Sequence, residues 1–158
     1  YQLNKSGFDV ESYEISESRR KFAKEKLNIK TIDNLDNIKD EYFDIFFSSH
    51  VLEHVPNLNY ILNLANRITK KNGLFIAFTP NGSFSHKKKN SNWNKLWGMV
   101  HPNFLNEIFY KNYFKDHKYY ISSNSYNIDN IKNFINGNKN FCDNLEGEEL
   151  LIIVKNRL

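Results

Sequence analysis

Between Tyr42 and Asn81 the chain runs through an apolar stretch, a polar turn, an amphipathic stretch, a glycine and a second apolar stretch. Phe43–Phe47 is almost continuously apolar, as a central parallel strand covered on both faces requires. Leu58, Ile61, Leu62, Ala65 and Ile68 recur at helical spacing and define one apolar face. Gly73 follows as the predicted helix stop, and Leu74–Phe78 is a second buried strand. Two such strands joined by a helix make a βαβ unit with parallel strands. Its polar turn, His50-Val51-Leu52-Glu53-His54, falls at the carboxyl end of the first strand, where open α/β sheets bind ligands.

The flanking sequence extends this pattern. Lys5–Gly7 reads as the end of a helix, Phe8–Glu14 as a strand, and Ser16 as the cap of a helix whose face holds Phe22, Ala23 and Leu27. Ile29–Ile32 is a short strand, and 33–41 an acidic, Asn-rich connection. Residues 82–103 form a polar insert with two tryptophans, too long for a plain connection and suited to a substrate loop. A helix around Phe104–Phe109, a strand over 119–126, a helix from Ile128 to Gly137 and a last strand over Glu149–Lys155 complete the order. The expected fold is α/β: a Rossmann-like doubly wound sheet, mostly parallel, with an antiparallel C-terminal edge strand.

Composition narrows the classes. A length of 158 residues suits a single domain spanning 1–158, with 82–103 as a substrate-side insert. No apolar run is long enough for a transmembrane helix, so no membrane association is expected. The lone Cys142 favours a reducing, cytoplasmic setting. Asn occurs 25 times, which we read as the base bias of an AT-rich, bacterial genome rather than as sites. The entire net charge of +4 lies after Thr79, and seven lysines stand between His86 and Lys118 against only Glu107 and Asp116. A basic patch draws anionic partners. Nucleic acid is the less favoured of these, because arginines are few and no NPPY-like tetrapeptide for base methylation occurs.

His50-Val51-Leu52-Glu53-His54 is literally the inverted zinc-protease pattern H-x-x-E-H. That chemistry needs both histidines on one uninterrupted helix. Pro56 follows too closely, and the apolar strand ends too near His50, so a peptidase is not expected.

Asp44 opening an apolar strand, the words VLEHVPN, and a helix ending KKNG before LFIAFTPN closely resemble the class I S-adenosylmethionine-dependent methyltransferases. The resemblance covers roughly Gly7–Tyr120 and points to relatives that methylate sugars, quinones, polyketides and similar metabolites. It implies S-adenosylmethionine as cofactor and S-adenosylhomocysteine as product. Glu14 would hold the ribose hydroxyls and Ile15 pack on the adenine, while Asp33, with Asn34 beside it, would meet the adenine amino group. Ser48, Ser49 and His50 would face the methionine end. In quinone-methylating relatives the same turn carries acid-x-x-Glu-His and can hold a divalent cation. Here His50 replaces the first acid, which disfavours a hard cation such as magnesium, and no metal is expected.

For the transfer itself His101 and His50 are the candidate bases, since a His titrating near neutrality suits proton removal from a hydroxyl. Trp93, Trp97 and Phe104, with His101, either wall an acceptor pocket or anchor the insert on the sheet. The basic, aromatic insert favours O-methylation of a small anionic acceptor, such as a phosphorylated metabolite or surface-glycan precursor.

One family feature has no counterpart. The glycine-rich loop should begin about 20 residues before Glu14, and no G-x-G occurs among the six glycines. The first strand and its loop are therefore expected to precede Tyr1, in a longer protein. The alternatives are a non-catalytic, methyltransferase-like partner subunit or an RNA/nucleic-acid methyltransferase.

Overall fold

The computed structural model describes residues 1–124, 126–137 and 139–156. It divides into two compact units, 1–38 and 39–158. The first unit contains helix α1 (Gln2–Lys5), strand β1 (Glu11–Tyr13), helix α2 (Glu17–Leu27), strand β2 (Lys30–Ile32) and a 3-10 turn at Leu35–Asn37. β1 and β2 pair in parallel around α2, a small βαβ unit. α2 ends where Asn28 turns left-handed at φ +51, and the Ile29 N–H donates back to Ala23 O at 3.1 Å.

The second unit runs β3 (Phe43–Ser49), α3 (Leu58–Ile68), β4 (Thr69–Pro80), α4 (Phe84–Lys89), a 3-10 turn at Trp93–Leu96, α5 (Glu107–Tyr113), β5 (Lys118–Ser123), α6 (Ile128–Asn136), β6 (Phe141–Cys142) and β7 (Glu149–Lys155). The sheet order is β3-β4-β7-β5-β6. β3, β4, β5 and β6 run one way, and β7 alone runs against its neighbours. The antiparallel C-terminal strand expected from the sequence is present, but it lies between β4 and β5 rather than at the rim. β3, expected as a central strand, is an outer strand of this five-stranded sheet, with Ile45 and Phe47 half-exposed.

The interior position of β7 explains its unbroken apolar run. Leu150, Ile152 and Val154 enter one core with Leu62 and Ala65 of α3, Phe75 and Ala77 of β4 and Tyr110 of α5. Leu151 and Ile153 enter a second core with Tyr120 and with Phe134 of α6. A strand covered on both faces needs apolar side chains at every position.

Three local expectations shift. α3 stops at Ile68, five residues before Gly73, and the chain enters β4 directly. The free carbonyls at its end are taken elsewhere: the Asn156 Nδ2 amide donates to Asn66 O at 3.1 Å and Thr69 O at 2.7 Å. The N–H groups of Glu41 and Tyr42 meet the carbonyls of Arg67 and Ile68, each at 2.9 Å. Gly73 serves close approach rather than helix termination, since a Cβ there would sit 2.8 Å from the Asp44 carbonyl oxygen. The insert is also not wholly loop, for it holds α4 and the Trp93–Leu96 turn. The strand expected over 119–126 covers Lys118–Ser123, and its Ser125 lies outside the described residues. No helix among the described residues is long and apolar enough to cross a membrane.

Replacing Asn156 with alanine removes the side chain that closes α3 and leaves its last carbonyls without these donors. Chemical denaturation is expected to show a loss of roughly 1–3 kcal/mol, the cost of unpaired, partly buried polar groups.

Candidate active site at the carboxyl end of the sheet

His50 ends β3 with φ +52, a conformation uncommon for a side-chain-bearing residue. Its N–H donates to Phe78 O at 2.9 Å, the last tie to β4 before the chain turns away. The segment that follows is a turn closed by His54 N–H to Val51 O at 2.9 Å. It is not a helix, so the inverted zinc-protease arrangement is absent. Turning here drives Leu52 and Glu53 inward, both essentially without solvent exposure.

The insert is fastened across this turn chiefly by Asn103. Asn103 donates its backbone N–H to Glu53 O at 3.2 Å and its side-chain amide to Leu52 O at 2.9 Å and Val55 O at 2.7 Å. Those bonds bring His101 beside His54, with ring centroids 4.6 Å apart. The far end of the insert is fixed by fully buried Asn81. Its amide donates to Leu145 O at 2.9 Å and Gly147 O at 2.7 Å, and its carbonyl accepts from Trp93 Nε1 at 3.1 Å. Gly82 then passes so close to Leu105 that an added Cβ would lie 2.2 Å from its carbonyl oxygen.

Trp93, Trp97 and Phe104 pack on one another, with centroids 5.0–6.0 Å apart, and Trp97 reaches His101 at 6.2 Å. Trp93 is buried and tied to Asn81, so it anchors the insert. Lys87 Nζ lies 4.8 Å over the Trp93 ring, and Lys88 Nζ 5.3 Å over Phe84. A shallow apolar hollow lined by Leu62, Phe75, Phe114 and Val154 holds none of these residues.

The histidines are held differently. His50 Nε2 lies 2.6 Å from Glu149 Oε1, and its Nδ1 3.4 Å from Glu53 Oε1. His54 Nδ1 lies 2.7 Å from Val100 O, and His101 Nδ1 2.5 Å from Leu96 O. A carbonyl can only accept, so both Nδ1 atoms carry a proton, and in the neutral ring Nε2 is left with the lone pair. Glu53 has no hydrogen bond to either carboxylate oxygen. Sequence reasoning weighed the Glu-His pair as a cation site and set it aside; the separate contact of Glu149 with His50 had no local signal at all.

Of the residues expected at the cofactor, Ser48 is buried at the end of β3 and its Oγ has no hydrogen-bond partner, whereas Ser49 is exposed. Glu14, Ile15, Asp33 and Asn34 belong to the first unit. Glu14 Oε1 accepts from Ser16 N–H at 2.9 Å, and its Oε2 is 3.8 Å from Arg19. Ile15 is 78% exposed. Asn34 Oδ1 caps the following turn by accepting from Asp36 N–H at 2.9 Å, which leaves its amide nitrogen uncommitted there. Asp33 is exposed.

Residues 2–77 match the family model of a methyltransferase domain. No curated protein sequence matches the chain. Among solved structures, a protein provisionally assigned as a type 11 methyltransferase from Sulfolobus solfataricus is similar over 99% of this chain and 76% of its own. Its identity is 14% and its TM-score 0.63. A S-adenosylmethionine-dependent methyltransferase from Thermotoga maritima is similar over 93% of this chain and 72% of its own, at 18% identity and TM-score 0.63. The geranyl diphosphate C-methyltransferase of Streptomyces coelicolor, solved with Mg2+, geranyl diphosphate and S-adenosylhomocysteine, covers 99% of this chain and 66% of its own, at 13% identity and TM-score 0.56. The resemblance read from the sequence is matched over residues 2–77 by the methyltransferase-domain model, and the fold is the Rossmann-like one of the solved methyltransferases. Together these matches support a S-adenosylmethionine-dependent methyltransferase.

Two buried phenols make the stability of this region pH-dependent. Burial, reinforced by the neighbouring Glu149 carboxylate and Tyr120, pushes Tyr126 from 10.0 up to about 12. Burial raises Tyr110 further still, against a hydrogen bond to Thr79. The folded state holds both phenols neutral, so their contribution is intact below about pH 10, where unfolded tyrosine stays protonated, and is lost as pH rises above it. Denaturation midpoints measured from neutral to strongly alkaline pH are expected to fall less steeply in Tyr126→Phe than in wild type. Separately, Asn103→Ala is expected to cost roughly 1–3 kcal/mol in the same assay.

Proposed function

We propose that this chain transfers the methyl group of S-adenosylmethionine to an oxygen of a small anionic metabolite, such as a phosphorylated or surface-glycan precursor, in the cytoplasm. The two units together serve one methyltransferase domain, with 82–103 on the acceptor side. The observation that carries the reading is the methyltransferase-domain match over residues 2–77. Within that span, the unpartnered Ser48 Oγ at the end of β3 fits a strand end that meets a polar ligand.

The residues present suit the cofactor. Glu14, with Oε1 steadied by Ser16 and Oε2 3.8 Å from Arg19, would turn Oε2 to the ribose hydroxyls, and exposed Ile15 offers an apolar face to adenine. Asp33 and the Asn34 amide are free to meet the adenine edge, and Ser48, Ser49 and His50 the methionine end. The bound sulfonium supplies an electrophilic methyl group, and the protein's part is alignment of the acceptor. His101, with Nδ1 tied to Leu96 O, presents an Nε2 lone pair that can take the acceptor proton, and His50 is the second candidate. Trp97 lies beside His101 on the acceptor side and packs on Phe104, with Trp93 behind them, and Lys87 and Lys88 favour a negatively charged acceptor. The lone Cys142 fits a reducing compartment.

Calorimetric titration of S-adenosylhomocysteine into the full-length protein tests this reading. Binding in the micromolar range is expected, weakened about tenfold or more, or at least about 1.4 kcal/mol, in Glu14→Ala. A folded protein that binds nothing would instead be a non-catalytic partner.

A further inference from the structure

Among the described residues, one group of three potential metal ligands converges: Glu53, His54 and His101, whose ligand atoms lie within 4.8 Å of one another. We propose that Glu53, His54 and His101 bind a divalent transition metal of the zinc type. The inference does not depend on the methyl-transfer reading.

Glu53 is the first argument. It is 0% exposed, and neither carboxylate oxygen receives a hydrogen bond. A buried carboxylate left so costs several kcal/mol unless a cation compensates it. The candidates among its neighbours do not close that deficit. His50 lies 3.4 Å away through Nδ1, outside good hydrogen-bond geometry, and directs Nε2 to Glu149 at 2.6 Å.

The tautomers are the second argument. Both His54 and His101 spend Nδ1–H on a backbone carbonyl, Val100 O and Leu96 O respectively. That arrangement recurs behind metal-bound histidines, because it fixes the ring and leaves Nε2 as the donor to the metal. His54 Nε2 stands 3.8 Å from Glu53 Oε1. This is too long for a hydrogen bond, whereas two ligands on one zinc-sized ion at about 2.0–2.2 Å sit about 3.4 Å apart. Closing the three donors onto one ion therefore needs side-chain movements of about an ångström or less.

The donor set indicates the ion. Two imidazoles and one carboxylate suit zinc or its neighbours, whereas magnesium demands oxygen ligands. Three protein ligands leave one position for water or an acceptor oxygen. No metal was expected at this turn because His50 replaces its first acid; the third ligand, His101, comes instead from the insert, outside the H-x-x-E-H run. The ion takes the same Nε2 lone pair that the base role of His101 needs, so with the metal bound the base role passes to the second candidate, His50.

The test is titration of the chelator-treated full-length protein with Zn2+, Co2+ and Mg2+ chlorides, by calorimetry and, for Co2+, by visible absorption. One Zn2+ per chain at about micromolar Kd or tighter is expected, with Mg2+ binding at least about a hundredfold weaker. His54→Ala and His101→Ala are expected to weaken Zn2+ about tenfold or more, and His117→Ala, outside the cluster, to leave it unchanged. Absence of Zn2+ binding, equal binding of Mg2+, or affinity unaltered in both ligand variants would overturn the proposal. Should the ligand variants fail to fold, Co2+ in wild type still decides. Intense four-coordinate bands displaced by Zn2+ support the site, and only the weak bands of hydrated Co2+ refute it.

Discussion

The second unit depends on the pairing of β7 with β4 on one side and β5 on the other. Its residues Glu149–Lys155 are in register with Pro80–Leu74 and, from Leu150, with Ser123–Lys118. Five consecutive apolar side chains, Leu150–Val154, are buried, each contributing on the order of 1.5–3 kcal/mol by removal from water. The register also sets both ends of the sheet at once. At the start of β7, Glu149 stands against His50; just past its end, Asn156 closes α3. A slip of one residue would turn the apolar set over, remove the Glu149 carboxylate from His50 and take the amide of Asn156 from α3. Packing and site geometry therefore share one constraint.

The sequence made the elements legible where side-chain periodicity decides them. β3, α3, the later part of β4, α6 and β7 all carry patterns that admit one reading. What escaped are features decided by contacts distant along the chain. The end of α3 moved to Ile68 because Glu41, Tyr42 and Asn156 supply its missing partners, and none of these lies within the helix. The interior position of β7 could not be read from its own residues, because a continuous apolar run states that both faces are covered and not which strands flank it. The inward turn of Glu53 was equally hidden. A glutamate beside two histidines looks solvated until Asn103 is seen clamping the turn under the insert.

Asparagine content is instructive in the same way. Whatever genomic bias supplied it, the fold uses the residue as a structural connector. Asn57, Asn106 and Asn127 cap α3, α5 and α6 by accepting N–H groups of the first turn, and Asn34 does the same for a 3-10 turn. Asn81, Asn103 and Asn156 hold loops by donating their amides to paired carbonyls. A composition that suggested little about ligands thus accounts for much of how the loops near the candidate site are held.

The left-handed His50 ties these strands of argument together. A non-glycine residue at φ +52 costs free energy that neighbouring contacts must offset. Here they are its N–H bond to Phe78 O and its ring contact with Glu149. An ordinary extended residue would continue β3 and carry Leu52 and Glu53 out toward solvent. The reversal instead sends Leu52 into the main core and its neighbour Glu53 beneath His54 and His101. Burying the leucine stabilises the turn, and burying the acid next to it is unfavourable. Because one backbone conformation imposes both, the apolar gain holds the carboxylate in a place it would otherwise leave. That coupling accounts for a buried, hydrogen-bond-poor acid lying beside two imidazoles.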